Sequence, residues 1–299
     1  MGSVQVIVIA IVVAATLAAF ARKALLSLTY AVAILSVYVL QVVAVPAALR
    51  TGWGDLLVWN DVVLAYAPGS WPAPTSWITF QFVHGSEAHL LLNTLGFVLL
   101  APIFEERVGS LRWALLFFAG GAAGALVFVL LHANERLILV GASAGLFSVL
   151  AAYGRLYPRD RVRLFLPIPG IPALPILQVV IGFLVLESLL GLVGPAGIAW
   201  EAHVGGLALG LAAAPAVARL PLGRSMGSRL AFLDELRDLA TTPELRSLLE
   251  DAGAADRPEL REAWVETFVA KARCPKCGGP LLVRLGSLRS DCGWRRRFR

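Results

Sequence analysis

Charge is scarce through most of this 299-residue chain. Residues 1–218 carry only ten Lys/Arg and nine Asp/Glu, while residues 219–299 carry sixteen and eleven. Soluble globular chains hold about 25% charged residues and about 45–50% apolar ones. This chain has 15% charged, 58% hydrophobic and a mean hydropathy of +0.75, which excludes a soluble enzyme and a disordered chain. Cysteine is nearly missing as well. Its three copies all follow position 273, so no paired disulfide framework exists and a disulfide-rich secreted module is excluded. The N-terminus lacks a basic stretch ahead of its apolar run and shows no clear cleavage site, so it reads as a retained span. What remains is a membrane protein followed by a small soluble domain. The net charge of +6 comes mostly from the tail. Basic cytoplasmic loops give that balance, and nucleic acid is not expected as a partner.

The hydrophobic runs are long. A spanning helix needs about 20 mostly apolar residues. Candidates run over 4–20, 24–49, 81–103, 113–132, 138–157, 172–193 and 199–218. The connection at 50–78 holds Trp53, Trp59, Trp71 and Trp77 among prolines and glycines, as expected of a segment at the membrane interface. Alternate connections carry Arg22/Lys23, Arg107/Arg112, Arg155/Arg159/Arg161/Arg163 and Arg219/Arg224. The others carry only Arg50 and Arg136. The positive-inside rule then puts the N-terminus outside and the tail in the cytoplasm. An integral protein of a prokaryotic plasma membrane is the expected setting.

Polar residues inside such spans are costly and are default candidates for function. His84, Glu87, His89 and Asn93 fall near the outer end of one span, and His203 near the outer end of the last. Ser143, within Gly141-Ala142-Ser143-Ala144-Gly145, opens a third. His89 and Asn93 are four apart and share a helix face. A nucleophile, a base and imidazole or amide donors at one depth are the parts of an acyl-transfer site. Each part has a plainer reading. Gly141-x-x-x-Gly145 and Gly206-x-x-x-Gly210 are small-residue patterns that serve close helix packing. Ser143 can simply pack there, His89 can bond a carbonyl, and His132 reads as an exposed loop residue. Their shared depth favours the functional reading, because independent packing residues have no reason to share it.

The residues at this point resemble the rhomboid intramembrane serine proteases. The resemblance rests on His84-x4-His89-x3-Asn93, on Glu106-Arg107-x-Gly109 with Arg112 nearby, on Gly141-x-Ser143, and on Ala202-His203-x-x-Gly206-x-x-x-Gly210. Order and spacing agree over about 25–218. The resemblance implies an all-α polytopic fold, with a six-helix core at 24–218 and an extra N-terminal transmembrane helix at 1–23. It also implies Ser143 as nucleophile and His203 as general base. The oxyanion hole would come from His89, Asn93 and the Ser143 backbone N–H, with His84 as a structural or water-organising neighbour. Two departures stand out. Ala144 follows the serine where the family often has glycine, and Phe147 supplies the ring expected to stack on His203 without a hydroxyl. No acid lies near His203 except Glu201, two positions earlier and elsewhere on a helix, so a dyad without a third member is expected. The substrate implied is a transmembrane helix of another protein in the bilayer, and no cofactor is needed for catalysis. Two rivals remain: a proteolytically inactive relative that binds transmembrane helices, and a small-molecule transporter. The transporter lacks the duplicated, interrupted halves expected of many such folds.

The tail reads as a helical linker at 219–272, with helices over 228–240, 243–250 and 258–272, and a degenerate zinc-ribbon-like segment at 273–299. Thr242 is a candidate N-cap ahead of Pro243. Leu260, Trp264 and Phe268 make one apolar face. Cys274-Pro-Lys-Cys277-Gly-Gly has the form of a zinc knuckle, and Cys292-Gly follows later. Structural zinc wants four ligands, usually as two C-x2-C pairs. Arg289 stands where the fourth cysteine would be, and no histidine lies in the tail. Either Cys274, Cys277 and Cys292 hold structural zinc with Asp291 or a partner completing the site, or the ribbon folds without metal. Arg295–Arg299 is read as a solvated cluster near the inner leaflet.

Overall fold

The computed structural model describes residues 3–22, 24–44, 62–162, 173–193, 199–220, 233–255, 258–284 and 287–297. Trp53, Trp59, Arg50, Arg163, Arg224 and the start of the helix expected at 228–240 lie outside these residues. The chain divides into two compact units, Met1–Gly223 and Arg224–Arg299.

The first unit is a helix bundle. Helix α1 (Ser3–Arg22) packs on α2 (Leu26–Ala44). Helix α3 runs from Glu87 to Val108 and contains a π turn at Gly96–Leu100. Then come α4 (Ser110–Leu131), α5 (Ser143–Leu156), α6 (Ile176–Val193) and α7 (Trp200–Arg219). All seven helices belong to the one compact unit Met1–Gly223. Among the described residues, five helices are long and apolar enough to cross a membrane: α1, α2, α3, α4 and α7. Helix α5 is not one of them. The apolar run at 138–157 reads as a full span, yet its first residues form strand β2 (Leu137–Leu139), antiparallel to β1 (Leu64–Tyr66). The 14-residue helix left over is about 21 Å long at 1.5 Å per residue. It is sheathed by its neighbours, and every residue from Ser143 to Tyr153 is buried. A second antiparallel pair, β3 (Arg161–Val162) with β4 (Leu174–Pro175), lies between α5 and α6 in the chain.

Small residues bring α4, α5 and α7 together. A Cβ on Gly206 would collide with the Ala144 carbonyl, and one on Gly210 with the Ser148 carbonyl. The methyl of Ala144 lies where Gly124 leaves room, since a Cβ on Gly124 would come within 2.8 Å of it. The departure at Ala144 is thus absorbed by a glycine on α4.

The opposite end of the bundle is held by charge. Glu105, fully buried, accepts from the backbone N–H groups of Leu26 at 2.6 Å and Ser27 at 2.8 Å. Its carboxylate satisfies donors that the start of α2 leaves orphaned and sits at the positive end of that helix. Glu105→Gln keeps the shape but removes the charge. It is expected to cost about 1–3 kcal/mol, read as a lower thermal midpoint in detergent. A midpoint equal to wild type would show that this cap contributes nothing. Arg107 pairs with Asp160 at 2.6 Å and lies over the Tyr157 ring at 4.8 Å. Arg112 donates to the carbonyls of Val108 at 2.7 Å and Leu220 at 3.0 Å.

The second unit has its own core of Leu236, Leu239, Leu245, Leu248, Phe268, Ala272 and Leu288. Helix α8 (Pro243–Ala254) is capped by Thr242, whose Oγ1 accepts from Leu245 N at 3.2 Å. Helix α9 (Pro258–Lys271) leads into a three-stranded antiparallel sheet of β5 (Leu282–Arg284), β6 (Ser287–Arg289) and β7 (Arg295–Arg297). Arg296 belongs to that fold, with its two terminal guanidinium nitrogens donating to the Asp238 carboxylate at 2.5 and 2.6 Å.

Candidate active site

Gly141 precedes α5 with φ +114, a conformation that L side chains rarely adopt, and turns the chain from β2 into the helix. The absence of a side chain there has a second consequence. A Cβ on Gly141 would collide with the His89 ring, so the glycine leaves the space this imidazole fills. Ser143 is the first residue of α5. Its Oγ lies 2.7 Å from His203 Nε2 on α7, and both residues are 5% exposed, so the pair is shielded from bulk solvent. The Phe147 ring, one turn along α5, lies 4.9 Å from the His203 ring, tilted by 46°.

Helix α3 supplies the other candidates. Ser86 caps it, accepting from His89 N at 3.3 Å. His89 and Asn93 follow one turn apart, and Asn93 Nδ2 donates to the His89 carbonyl at 2.9 Å. The His84 and His89 rings meet edge to face at 5.0 Å. His84 is buried, and neither of its ring nitrogens has a hydrogen-bond partner among the described residues; the same holds for Asn93 Oδ1. The site therefore gathers Ser143, His203, Phe147, Gly141, His89, Asn93 and His84, with Gly206 and Gly210 setting the approach of α7 to α5. Arg107 is engaged elsewhere, with Asp160 and Tyr157. The buried carboxylate beside it in sequence is that of Glu105 rather than the motif's Glu106.

Three contributors escaped the sequence reading. Gln41 on α2 clamps the backbone of His84: its Nε2 donates to the His84 carbonyl at 3.0 Å, and its Oε1 accepts from His84 N at 3.2 Å. A glutamine in an apolar run was the available signal. Ser148 donates to the Leu116 carbonyl at 2.9 Å and so ties α5 to α4. His132, expected as a simple loop residue, faces Glu201 through Nε2 at 3.2 Å and Glu135 through Nδ1 at 3.3 Å. Glu201 is thereby occupied away from His203.

Hydrogen bonding of the His132 ring to the accepting carboxylates of Glu201 and then Glu135 raises its pKa above its ordinary 6.5. A raised folded-state value means that this strap is fully present below the unfolded pKa and is lost as pH rises through the raised one. The thermal-midpoint difference between wild type and His132→Gln is expected to be largest below the ordinary 6.5 and to shrink as pH rises above it. A difference that does not change with pH would show that the histidine charge plays no part.

In the tail unit, the Sγ atoms of Cys274, Cys277 and Cys292 all lie within 4.8 Å of one another, an arrangement that can hold a metal ion. The Ser290 hydroxyl and then the Cys292 thiol lower the Cys277 pKa to about 6.

Comparison with known proteins adds the following. A family model described as Rhomboid domain matches residues 72–220. A protein of Bacillus subtilis (strain 168) named "Putative rhomboid protease YdcA" is 29% identical over 105 residues, covering 33% of this chain and 50% of that protein. The match thus spans about half the length of this relative.

Proposed function

The chain belongs to the rhomboid family, and from that premise we propose that it is an intramembrane serine endopeptidase acting on transmembrane helices of other proteins. The observation that carries this reading is the 2.7 Å contact between Ser143 Oγ and His203 Nε2 in an apolar, solvent-shielded bundle. Neutral His203 takes the proton of Ser143 as Oγ attacks the scissile carbonyl. It then returns that proton to the leaving amine, and water attacks the acyl-enzyme by the same route. The developing oxyanion is met by the Ser143 backbone N–H, an orphan donor at the first position of α5. His89 and the second N–H of Asn93 complete the hole. His84 organises water beside His89. Packing of Phe147, in place of a third acid, orients the His203 ring.

The site end of the bundle faces outside and the tail lies in the cytoplasm, following the distribution of arginine and lysine. Substrate helices must unwind locally to expose a peptide bond, so helix-destabilising residues favour cutting. The catalytic chemistry uses no metal. We read the three thiols of the tail as a separate structural metal site.

The test is direct. The purified protein in detergent micelles is incubated with single-span membrane proteins, and the fragments are identified by mass spectrometry. Cleavage by wild type that disappears in Ser143→Ala supports the reading. Equal cleavage by both proteins overturns the dyad, and no cleavage of any of several substrates favours a relative that only binds helices.

A further inference from the structure

The proteolytic reading leaves unused a cluster in the tail unit that is built with some care. Cys274 begins a tight turn in which Gly278 N donates to the Cys274 carbonyl at 2.8 Å and Cys274 N donates to the Gly279 carbonyl at 2.9 Å. Gly278, immediately after Cys277, has φ +70. The hairpin between β6 and β7 repeats the device. Gly293 N donates to the Ser290 carbonyl at 3.0 Å, and Ser290 N donates to the Trp294 carbonyl at 3.0 Å. Gly293, immediately after Cys292, has φ +82. Two turns, each with a left-handed glycine behind a cysteine, thus face one another.

Sequence spacing assigns the corner opposite Cys292 to Arg289. That residue lies in β6, paired with Leu282 on one side and Arg295 on the other. The next residue takes its place. Ser290 is 7% exposed and brings its Oγ to 3.4 Å from Cys277 Sγ. Asp291, the completing ligand considered from sequence, is exposed.

The edges of the cluster can be compared with a coordination polyhedron. Tetrahedral zinc has Zn–S of about 2.3 Å and Zn–O of about 2.0 Å, which makes S···S edges roughly 3.8 Å and S···O edges roughly 3.5 Å. The Cys274–Cys292 Sγ distance is 3.7 Å, and the Cys277 Sγ–Ser290 Oγ distance is 3.4 Å. A disulfide would instead hold two sulfurs about 2.05 Å apart. Three soft thiolates and one oxygen in this geometry suit zinc better than a hard oxygen-seeking cation or an all-sulfur iron cluster.

Resting on the reading of these thiols as a metal site, we propose that Cys274, Cys277 and Cys292 bind Zn²⁺ as thiolates and that Ser290 Oγ is the fourth, exchangeable corner. All three cysteines bind as thiolates, each thiol still protonated losing its proton to solvent, while the serine stays a neutral hydroxyl that gives a lone pair. A neutral oxygen holds zinc more weakly than a fourth thiolate. The site is therefore open to exchange where a four-cysteine ribbon is closed.

The experiment uses the full chain in detergent. Zinc content is measured by elemental analysis, and zinc release to a chromogenic chelator is followed in wild type, Ser290→Ala, Ser290→Cys and Cys292→Ser. One zinc per chain is expected in wild type and none in Cys292→Ser. Release should be several-fold faster in Ser290→Ala and at least about tenfold slower in Ser290→Cys, a shift of about 1.4 kcal/mol. With Co²⁺ as probe, the sulfur-to-metal charge-transfer band should rise from three thiolates to four in Ser290→Cys. Wild type that binds no zinc overturns the metal reading itself. Zinc bound at one per chain with release unchanged in Ser290→Ala overturns the serine assignment alone, whatever Ser290→Cys does.

Discussion

Ser143→Ala is expected to cleave a single-span substrate in micelles at least about 10³-fold more slowly than wild type, and adding His203→Ala is expected to cost nothing further. The reason is that nucleophile and base act as one unit. Without Oγ there is no proton for His203 to take, and without the imidazole a neutral hydroxyl is too weak a nucleophile. Loss of either side chain therefore removes the whole advantage of the pair, and the residual rate reflects only oriented donors and binding. The fold should survive, because Ser143→Ala deletes one hydrogen bond worth about 1 kcal/mol. Thermal midpoints close to wild type would certify the comparison. A serine-directed fluorophosphonate should label wild type and leave Ser143→Ala unlabelled. Additive losses from the two substitutions would show that Ser143 and His203 act independently, and the dyad reading would fall.

The candidates for chemistry were legible because so little else in the first 218 residues is polar. Against that background Ser143, His203, His89 and Asn93 stand out by type and depth alone, and the fold brings Oγ and Nε2 within 2.7 Å. The strand ahead of α5 was not legible. An apolar run cannot announce that its first residues pair with a strand some seventy positions earlier, as Leu137–Leu139 do with Leu64–Tyr66. The role of Glu105 was not legible for a different reason: the backbone groups it accepts from, Leu26 N and Ser27 N, lie 79 and 78 positions earlier in the chain. The fourth corner of the tail cluster fails for a third reason. Spacing rules assume a full knuckle, whereas β6 holds Arg289 in its ladder and hands the corner to Ser290.

Gly206→Ala carries the second large expected effect, although Gly206 touches no reacting atom. Its added methyl would collide with the carbonyl of Ala144, a backbone group that cannot rotate away, and would also crowd Ala144 Cα at 3.1 Å. Ala144 is bonded to Ser143, and Gly206 stands one turn after His203 on α7. The contact that the methyl forces open is therefore the one that sets the spacing of the dyad. Overpacking of this kind costs about 1–3 kcal/mol. A displacement on the order of 1 Å at a reacting pair costs on the order of 10²-fold in rate. Both losses are expected together, as a lower thermal midpoint and slower turnover at saturating substrate. Gly154→Ala is the matched control. It lies on α5, a Cβ there meets nothing within 4 Å, and alanine favours the helix by up to about 1 kcal/mol. Turnover at the wild-type level is expected for Gly154→Ala, with a midpoint unchanged or slightly raised. Wild-type turnover in Gly206→Ala would show that the approach of α7 to α5 does not hold the Ser143–His203 distance.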